Sequence, residues 1–358
     1  MDTQIIVIGA GVVGLTTALV LKQKGYQHVT VVAKYVPGDM CVEYTSPYAG
    51  AHWRTMAKND DKFLSSLDAV SYEKFMNMVG NTKEKNRDDI NQTEMGIMAV
   101  PSWDYYDDET VPEYANPWIK DVVYNFRMLT EKDGLPAGAK LGHTYTTVLI
   151  NSPVYLKWLQ NQFTQLGGTI VKRSLSHIDD LFDGVKSSHA AVINCTGLGA
   201  RFLGGVQDEA VTPTRGQTVV VDAPHIKATI THVRPEGMTY IIPRSDGTVI
   251  LGGTANKGDF NPYVDDVIAK YIIRRTKSLC PQLDEEPKIV RHAVGLRPSR
   301  IGGPRFENEV RRSKDGKKAL HVTHAYGHGG YGYQSSWGSA EHTVQLMEKG
   351  LPTGKSRL

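Results

Sequence analysis

The chain has little of three features that each define a class of protein. It has only 3 cysteines, Cys41, Cys195 and Cys280, among 358 residues, which are too few and too widely spaced for a disulfide framework or a CxxC zinc site. No apolar run reaches the roughly 20 residues that span a bilayer. The 41 Lys and Arg nearly balance the 38 Asp and Glu, for a net charge of +3, so no nucleic-acid or membrane surface is indicated. We therefore expect a protein from a reducing compartment, without a structural metal, a nucleic-acid partner or a membrane span.

Glycine, by contrast, is abundant. The sequence has 35 glycines, a larger share than the usual ~7 %, and many of them lie in short clusters. Glycine is the residue used where the backbone turns sharply or closely approaches a ligand. At roughly 150 residues per domain, the length predicts two domains or one large elaborated domain.

The N-terminus has the pattern of a βαβ unit. Residues 4–8 form a β-branched strand, 12–24 carry apolar residues at helical spacing before the capping glycine Gly25, and 28–33 form a second strand. The absence of a basic region before the apolar run argues against a signal peptide. Between strand and helix stands the GxGxxG motif Gly9-Ala10-Gly11-Val12-Val13-Gly14, whose context predicts that a dinucleotide pyrophosphate binds at the helix N-terminus.

The second strand lacks the acidic residue that usually binds ribose hydroxyls about 20 residues after this motif. It ends instead in Ala33-Lys34. From the residues alone, two interpretations stay open: an NADP-type site, or an FAD site that uses backbone contacts.

The rest of the chain predicts an interleaved second domain. Residues 55–140 show no clean period and are interpreted as a loop-rich insertion, after which a helix near 154–166 and a strand at 190–194 resume the α/β pattern. Strand-like runs between 217 and 254 predict an antiparallel sheet, and a glycine-rich run at 325–334 precedes a final helix.

Several motifs along the chain together resemble the FAD-dependent D-amino-acid oxidases and D-aspartate oxidases, the fungal-type D-amino-acid oxidases most of all. The most specific is His324-Ala325-Tyr326-Gly327-His328-Gly329-Gly330-Tyr331-Gly332. It is joined, in family order, by the segments at 44–50, 194–199, 215–217, 240–243, 251–253 and 295–298.

The resemblance implies a fold of the α/β class (α+β overall), in which a Rossmann-like FAD-binding domain is interleaved with an antiparallel-sheet substrate domain. The expected FAD-binding domain comprises 1–60, 140–215 and 290–358, and the substrate-binding domain 61–139 and 216–289. In this family a missing ribose acid is ordinary, so the resemblance favours FAD over NADP. The implied cofactor-binding residues are Gly9, Ala10, Gly11, Val12, Val13, Gly14, Ala33, Lys34, Thr45, Ser46, Gly50, Thr196, Gly197, Gly327, Gly329, Gly330, Gly332, Tyr333 and Gln334.

The resemblance also implies how a D-amino acid is held. Arg297 is expected to bind the substrate carboxylate with two parallel N–H donors, assisted by the hydroxyl of Tyr240. The backbone carbonyl of Gly330 is expected to accept a hydrogen bond from the substrate amine. Gln334 is either a polar neighbour of this site or an exposed helix residue.

The preference for the substrate side chain stays open between two branches of the family. Arg234, six residues before Tyr240, resembles the D-aspartate oxidases, and a protonated His52 would also favour an acidic side chain. Ala255 and Gly330 depart from that branch. The alternatives are a solvated Arg234 paired with Glu236 and a neutral His52 beside the flavin. We therefore expect broad D-amino-acid oxidation that extends to acidic substrates, with a selective D-aspartate oxidase or a glycine or secondary-amine oxidase as alternatives.

The last residues, Ser356-Arg357-Leu358, are a conservative variant of the Ser-Lys-Leu peroxisomal address. An oxidase that releases hydrogen peroxide from O2 fits that compartment. The expected partners are thus a D-amino acid, O2 and the peroxisomal import receptor, and a homodimer is compatible with the family. A purely NADP-binding or redox-sensing module would leave Arg297 and the segment 324–340 unexplained.

Overall fold

A computed structural model of the protein describes residues 3–80, 91–92 and 94–352. The charged run at 83–89 and the tripeptide at 356–358 lie outside the described residues. The strands are β1 (Ile5–Ile8), β2 (Val29–Ala33), β3 (Asn91–Gln92), β4 (Ile97–Tyr106), β5 (Arg127–Leu129), β6 (Leu141–Ile150), β7 (Thr169–Lys172), β8 (His189–Asn194), β9 (Val211–Asp222), β10 (Thr229–Arg234), β11 (Gly237–Pro243), β12 (Thr248–Gly252), β13 (Asn256–Lys257), β14 (Ile289–Arg300), β15 (Arg305–Arg312) and β16 (Ala319–Tyr326). The α-helices are α1 (Val12–Gln23), α2 (Lys62–Met78), α3 (Pro112–Ala115), α4 (Ser152–Gln165), α5 (Asp266–Leu279) and α6 (Ser336–Gly350).

The first sheet has six strands in the order β15-β16-β8-β1-β2-β7. All neighbours are parallel except β15 and β16. The four residues of β1 are all buried, as expected for a parallel strand covered on both faces. Helix α1 packs between this sheet and helices α4 and α6. The predicted N-terminal βαβ unit is therefore confirmed.

The second sheet has ten strands and carries the antiparallel runs expected between 217 and 254. Its main path is β13-β9-β12-β11-β10-β4-β6-β5, with β14 paired to β9 and β3 to β4. Helix α5 covers one face through a separate apolar cluster. The predicted combination of a Rossmann-like sheet with an antiparallel sheet is confirmed, although β10 and β4 within the second sheet pair in parallel.

Two strands predicted in the FAD-binding domain belong instead to the ten-stranded sheet. Residues 140–215 and 290–358 were expected in the FAD-binding domain, but β6 hydrogen bonds with β4, and β14 with β9, within the ten-stranded sheet. The boundaries of the two domains otherwise stay a prediction.

The expectation of a loop-rich insertion at 55–140 is wrong. This region contains the 17-residue helix α2, whose N-cap Asp61 accepts a hydrogen bond from the Leu64 amide at 2.9 Å, and the ten-residue strand β4. The apolar period of α2 is obscured because its buried face includes the polar residues Asp68 and Ser71.

Candidate active site

One large cavity of about 1690 Å³ lies between the two sheets. This volume exceeds the ~300–1,000 Å³ of pockets that hold one drug-sized ligand. Its wall includes the ends of β1, β2 and β8 on one side and residues of β9, β11 and β14 on the other. The cavity can therefore hold a dinucleotide together with a small substrate.

The GxGxxG loop forms one end of the cavity, and its glycines are required by close backbone packing. Gly9 has φ +104°, and a Cβ there would lie 2.5 Å from the Cys195 carbonyl oxygen. A Cβ on Gly14 would lie 2.0 Å from the Gly9 oxygen. Gly9, Ala10, Gly11, Val12 and Val13 line the cavity. Gly14 lies behind them and permits the helix to pack.

The start of α1 fits a phosphate group. Its N-cap is Gly11, which has no capping side chain, and its first turn contains no acidic residue. A Cβ on Gly11 would lie 2.9 Å from Ser46 Oγ, which accepts a hydrogen bond from the Val12 amide at 3.1 Å. The N–H groups of an uncapped helix terminus attract anions, so this loop and Ser46 could hold the pyrophosphate of FAD.

Ala33 and Lys34 line the same cavity at the end of β2. Lys34 Nζ, however, lies 2.7 Å from Glu43 Oε2, and this hydrogen bond raises the pKa of the Lys34 ammonium. Both side chains are more than half exposed, so this is a weak surface ion pair.

The remaining expected cofactor-binding residues also lie on the cavity wall. They are Thr45, Ser46, Gly50, Thr196, Gly197, Gly327, Gly329, Gly330, Gly332, Tyr333 and Gln334. Gly327 and Gly329 have φ +90° and +56°, and the Gly329 amide donates to the Pro298 carbonyl at 2.9 Å. The Tyr333 hydroxyl donates to the Ser46 carbonyl at 2.9 Å, which connects this loop to the pyrophosphate end.

Arg297 and Tyr240 meet on the wall formed by the ten-stranded sheet. Arg297 Nη2 lies 3.5 Å from the Tyr240 hydroxyl, and Nη1 donates to the Thr254 carbonyl at 3.0 Å. The side chain lies across Gly216, where a Cβ would be 2.4 Å from Nη1. On Gly252 a Cβ would be 2.1 Å from the Tyr240 ring. Glycines thus make room for both side chains that could bind a carboxylate.

The structure separates the two residues expected near the substrate side chain, His52 and Arg234. His52 lines the cavity, and burial lowers the pKa of its imidazole to about 4, which favours the neutral alternative over the protonated one. Arg234 is absent from the residues that line the cavity. Its expected partner Glu236 instead forms an ion pair with Arg275 at 3.4 Å.

Gln334 is buried rather than exposed. Its Nε2 donates to the Asp68 carboxylate at 2.9 Å, and Asp68 also accepts from Thr55 Oγ1 at 2.7 Å. Burial raises the pKa of Asp68 to about 7. Because Asp68 takes one hydrogen of Nε2, the second hydrogen and the amide oxygen of Gln334 are left for a ligand.

The cavity residues that the sequence interpretation missed include two arginines, Arg54 and Arg275. Arg54 could have been found from the alternation of side chains in an extended segment: Trp53 is fully buried, whereas His52 and Arg54 on either side both line the cavity. For Arg275, on helix α5, no sequence pattern is informative, because its approach to the cavity depends on packing between distant elements.

Two general features of the described chain concern metals and membranes. Within residues 3–80, 91–92 and 94–352 no group of three or more His, Cys, Asp or Glu side chains is arranged to hold a metal ion. No helix within those same ranges has the length and apolar character to cross a membrane.

Known proteins are similar to this chain over nearly its whole length. A D-amino-acid oxidase from Schizosaccharomyces pombe is 37% identical over 349 residues, covering 96% of this chain and 95% of that protein. A D-amino-acid oxidase from Fusarium vanettenii is 35% identical, with 100% of both chains covered. A D-aspartate oxidase from Cryptococcus neoformans var. grubii is 32% identical, with 96% of each covered.

Solved structures give the same fold at greater sequence distance. Glycine oxidase from Bacillus cereus superposes with a TM-score of 0.71 at 20% identity, covering 98% of this chain and 96% of that one. The DAO family of FAD dependent oxidoreductases matches residues 4–346. The expected cofactor is thereby confirmed as FAD, and the expected enzyme class as an oxidoreductase. The chain belongs to the DAO family of FAD dependent oxidoreductases.

Proposed function

We propose that the protein is a D-amino-acid oxidase, which converts a D-amino acid and O2 into an imino acid and hydrogen peroxide. The imino acid then reacts with water to give a 2-oxo acid and ammonia. The proposal rests on the pairing of Arg297 with Tyr240, 3.5 Å apart, on the wall of the cavity that also contains the glycine loops. The family relationship and the D-amino-acid oxidases among its relatives support it.

In this proposal Arg297 and Tyr240 hold the substrate carboxylate. A guanidinium binds a carboxylate through two parallel N–H donors, and the Tyr240 hydroxyl can accept from Arg297 while it donates to the carboxylate. The Gly330 carbonyl accepts from the substrate amine. Gly330 is beside Arg297, since a Cβ on it would be 3.3 Å from Arg297 Cδ. Both ends of the amino acid are thus fixed, and this orients the Cα–H bond.

FAD, when bound, supplies the acceptor for two electrons and passes them to O2. We assign its pyrophosphate to the loop at 9–14 with Ser46, its adenosine end to Ala33, and its flavin end to the loop at 327–332 near Gly50. Gln334 is a further polar contact at the flavin end. Backbone N–H groups in the latter loop would stabilise negative charge on the reduced cofactor.

The test is an oxygen-uptake assay of the FAD-loaded protein over a panel of D- and L-amino acids. We expect oxygen consumption and peroxide release with several D-amino acids and none with their L-enantiomers. Activity confined to D-Asp and D-Glu would favour a selective D-aspartate oxidase instead. Activity confined to glycine and secondary amines would contradict the proposal, as would FAD-loaded protein that consumes no oxygen with any D-amino acid.

We also propose that the protein is imported into peroxisomes through Ser356-Arg357-Leu358 and its import receptor. The support is the likeness of this tripeptide to the peroxisomal address and the peroxide that the proposed reaction releases. A fluorescent protein carrying the last residues of this chain should enter peroxisomes, and its Arg357→Ala variant should not. Equal distribution of both fusions would contradict the proposal.

A homodimer is the oligomeric state we propose, to be measured by light scattering.

A further inference from the structure

Arg54 is a buried cation on the cavity wall that the proposed binding of the amino-acid backbone does not use. Its side chain is 11% exposed, and its Nε lies 3.1 Å from Asp104 Oδ2. Nη1 faces the Met56 sulfur at 3.6 Å, which is a weak acceptor. The Asp104 carboxylate binds at Nε, and a further side-chain hydrogen bond joins the guanidinium to Tyr106. The remaining terminal N–H groups are the ones left for a ligand.

Asp104 accepts hydrogen bonds from two side chains besides Arg54. Its Oδ2 also accepts from the Tyr145 hydroxyl at 3.1 Å, and its Oδ1 accepts from Ser102 Oγ at 3.0 Å. The carboxylate therefore has three donors, whereas the guanidinium has one anionic partner. An anion that approached from the cavity would meet N–H groups of Arg54 first, with Asp104 behind them.

The register of the sheet places this pair on the same wall as Tyr240. Thr231 of β10 lies opposite Tyr240 on one side and opposite Asp104 on the other. Residues opposite one another in neighbouring strands project from the same face, and neighbouring strands are about 4.8 Å apart. Tyr240 and Asp104 are thus two strand spacings apart in one row, and the cavity runs past both Tyr240 and Arg54.

Apart from Asp104, the titratable groups that act on Arg54 in the described part of the chain are not carboxylates. His52 lines the cavity beside it and is neutral, and within the described residues its buried Nε2 has no hydrogen-bond partner. The buried Thr231 Oγ1, in the same row, likewise has no partner in that part of the chain. The other titratable neighbours are the hydroxyls of Tyr106 and Tyr145 and the imidazole of His143, none of which is an anion at neutral pH.

We propose that Arg54 binds the side-chain carboxylate of the substrate, with His52 as a neutral neighbour, and so extends the activity to acidic D-amino acids. This inference rests on the proposed oxidase function. A substrate with two carboxylates would place one on Arg297 and Tyr240 and the other on Arg54. Arg234, which sequence comparison within the family favoured for this role, lies off the cavity.

The test compares substrates that differ only in side-chain charge. Removal of Arg54 alone would leave Asp104 as a buried uncompensated charge, which destabilises a protein strongly. The variant is therefore the pair Arg54→Gln with Asp104→Asn, in which Tyr145 and Ser102 keep an oxygen acceptor. Arg234→Gln is the matched control, because it removes an arginine from the neighbouring strand without changing the cavity wall.

For the FAD-loaded enzyme we expect the ratio of kcat/KM for D-Glu to that for D-Gln to fall about 10- to 100-fold in the double variant, the size of a hydrogen bond to a charged group. The value for D-Ala should change less than about threefold, and Arg234→Gln should leave the ratio unchanged. Binding of succinate and butyrate, followed through the flavin absorbance, provides a readout without turnover. Succinate should bind more tightly than butyrate in the wild type and in Arg234→Gln, and this difference in affinity should disappear only in the double variant.

An unchanged D-Glu to D-Gln ratio in a double variant that still oxidises D-Ala would overturn the inference. So would a wild-type enzyme that oxidises D-Ala but neither D-Asp nor D-Glu, and this result would leave the oxidase function intact. Failure with every D-amino acid would instead contradict the proposed function itself. If the double variant binds no FAD, Arg54→Lys replaces it, and loss of the planar fork should still lower the D-Glu to D-Gln ratio.

Discussion

The two sides of the cavity are built in different ways. On the side of the six-stranded sheet, the wall is mainly backbone, and Gly9, Gly11 and Gly14 let strand, loop and helix approach within a distance that no Cβ allows. On the side of the ten-stranded sheet, the wall presents long polar side chains such as Arg297, Tyr240 and Arg54. Backbone N–H groups suit a phosphate that every FAD carries, whereas side chains can be exchanged to select among substrates. Substitutions should therefore have all-or-none effects on the first side and graded effects on the second.

The largest effect is expected from Gly14→Ala. The added Cβ would lie 2.0 Å from the Gly9 carbonyl oxygen, and backbone atoms can move little without separating α1 from β1. This clash outweighs the ~1 kcal/mol by which alanine normally favours a helix over glycine. We expect loss of bound FAD and of most folded protein, measured by flavin absorbance and thermal unfolding.

Gly184→Ala is the matched control for this substitution, because a Cβ at Gly184 meets no atom within 4 Å. It should bind FAD as the wild type does. A Gly14→Ala protein that retained FAD and normal stability would show that the backbone side tolerates graded change, contrary to the comparison.

A smaller effect is expected from Gly216→Ala on the side-chain wall. Here the Cβ would lie 2.4 Å from Arg297 Nη1, but a guanidinium at the end of a flexible chain can move. We expect FAD content to stay normal and kcat/KM for D-Ala to fall about 100-fold, chiefly through KM, since a displaced donor pair binds the carboxylate less well. Loss of FAD in this variant would mean that the two sides are not independent.

The smallest effect is expected from Asp68→Asn, at the carboxyl group that accepts from Gln334 of the cavity wall. The pKa of Asp68 is raised to about 7 by burial, against about 3.9 in an unfolded chain. The folded state therefore binds the proton more tightly, so the stability that this group contributes is present at low pH and is lost as pH rises through about 7. Asparagine cannot ionise and still accepts from Gln334 and Thr55.

The free energy of unfolding of Asp68→Asn relative to wild type should thus increase by about 2 kcal/mol from about pH 5.5 to about pH 7.5. Thermal or denaturant unfolding across this range measures it, and Asp183→Asn, at an exposed carboxyl, should show no such trend. A difference that stayed constant or fell with pH would contradict the buried, protonated carboxyl.

The same contrast explains what could be predicted from the sequence. The N-terminal βαβ unit follows from local sequence patterns. Gly14 is needed by its near neighbour Gly9, and Gly9 by the end of the adjacent strand β8. Helix α2 escaped prediction because Asp68 and Ser71 face inward, where Gln334 and the Gly338 amide satisfy them. Such partners lie more than 260 residues away, and no periodicity reveals them.

The family motifs predicted Arg297 and Tyr240, but they suggested Arg234 for the substrate side chain. That residue lies near the end of β10 and away from the cavity, a position set by strand pairing rather than by its spacing from Tyr240. Arg54 comes from a distant segment, and its ion pair with Asp104 on β4 holds it at the wall.

The hydrogen bond from the Gly329 amide to the Pro298 carbonyl joins the loop at 327–332 to the residue that follows Arg297. A second link, between Ser299 and Thr214 at 2.8 Å, joins the same stretch to β9. The proposed carboxylate-binding residues and the flavin-side loop are therefore structurally linked and form one unit. A chimaera that took only one of the two segments from a relative would alter the spacing between substrate and cofactor, so the pair must be inherited together.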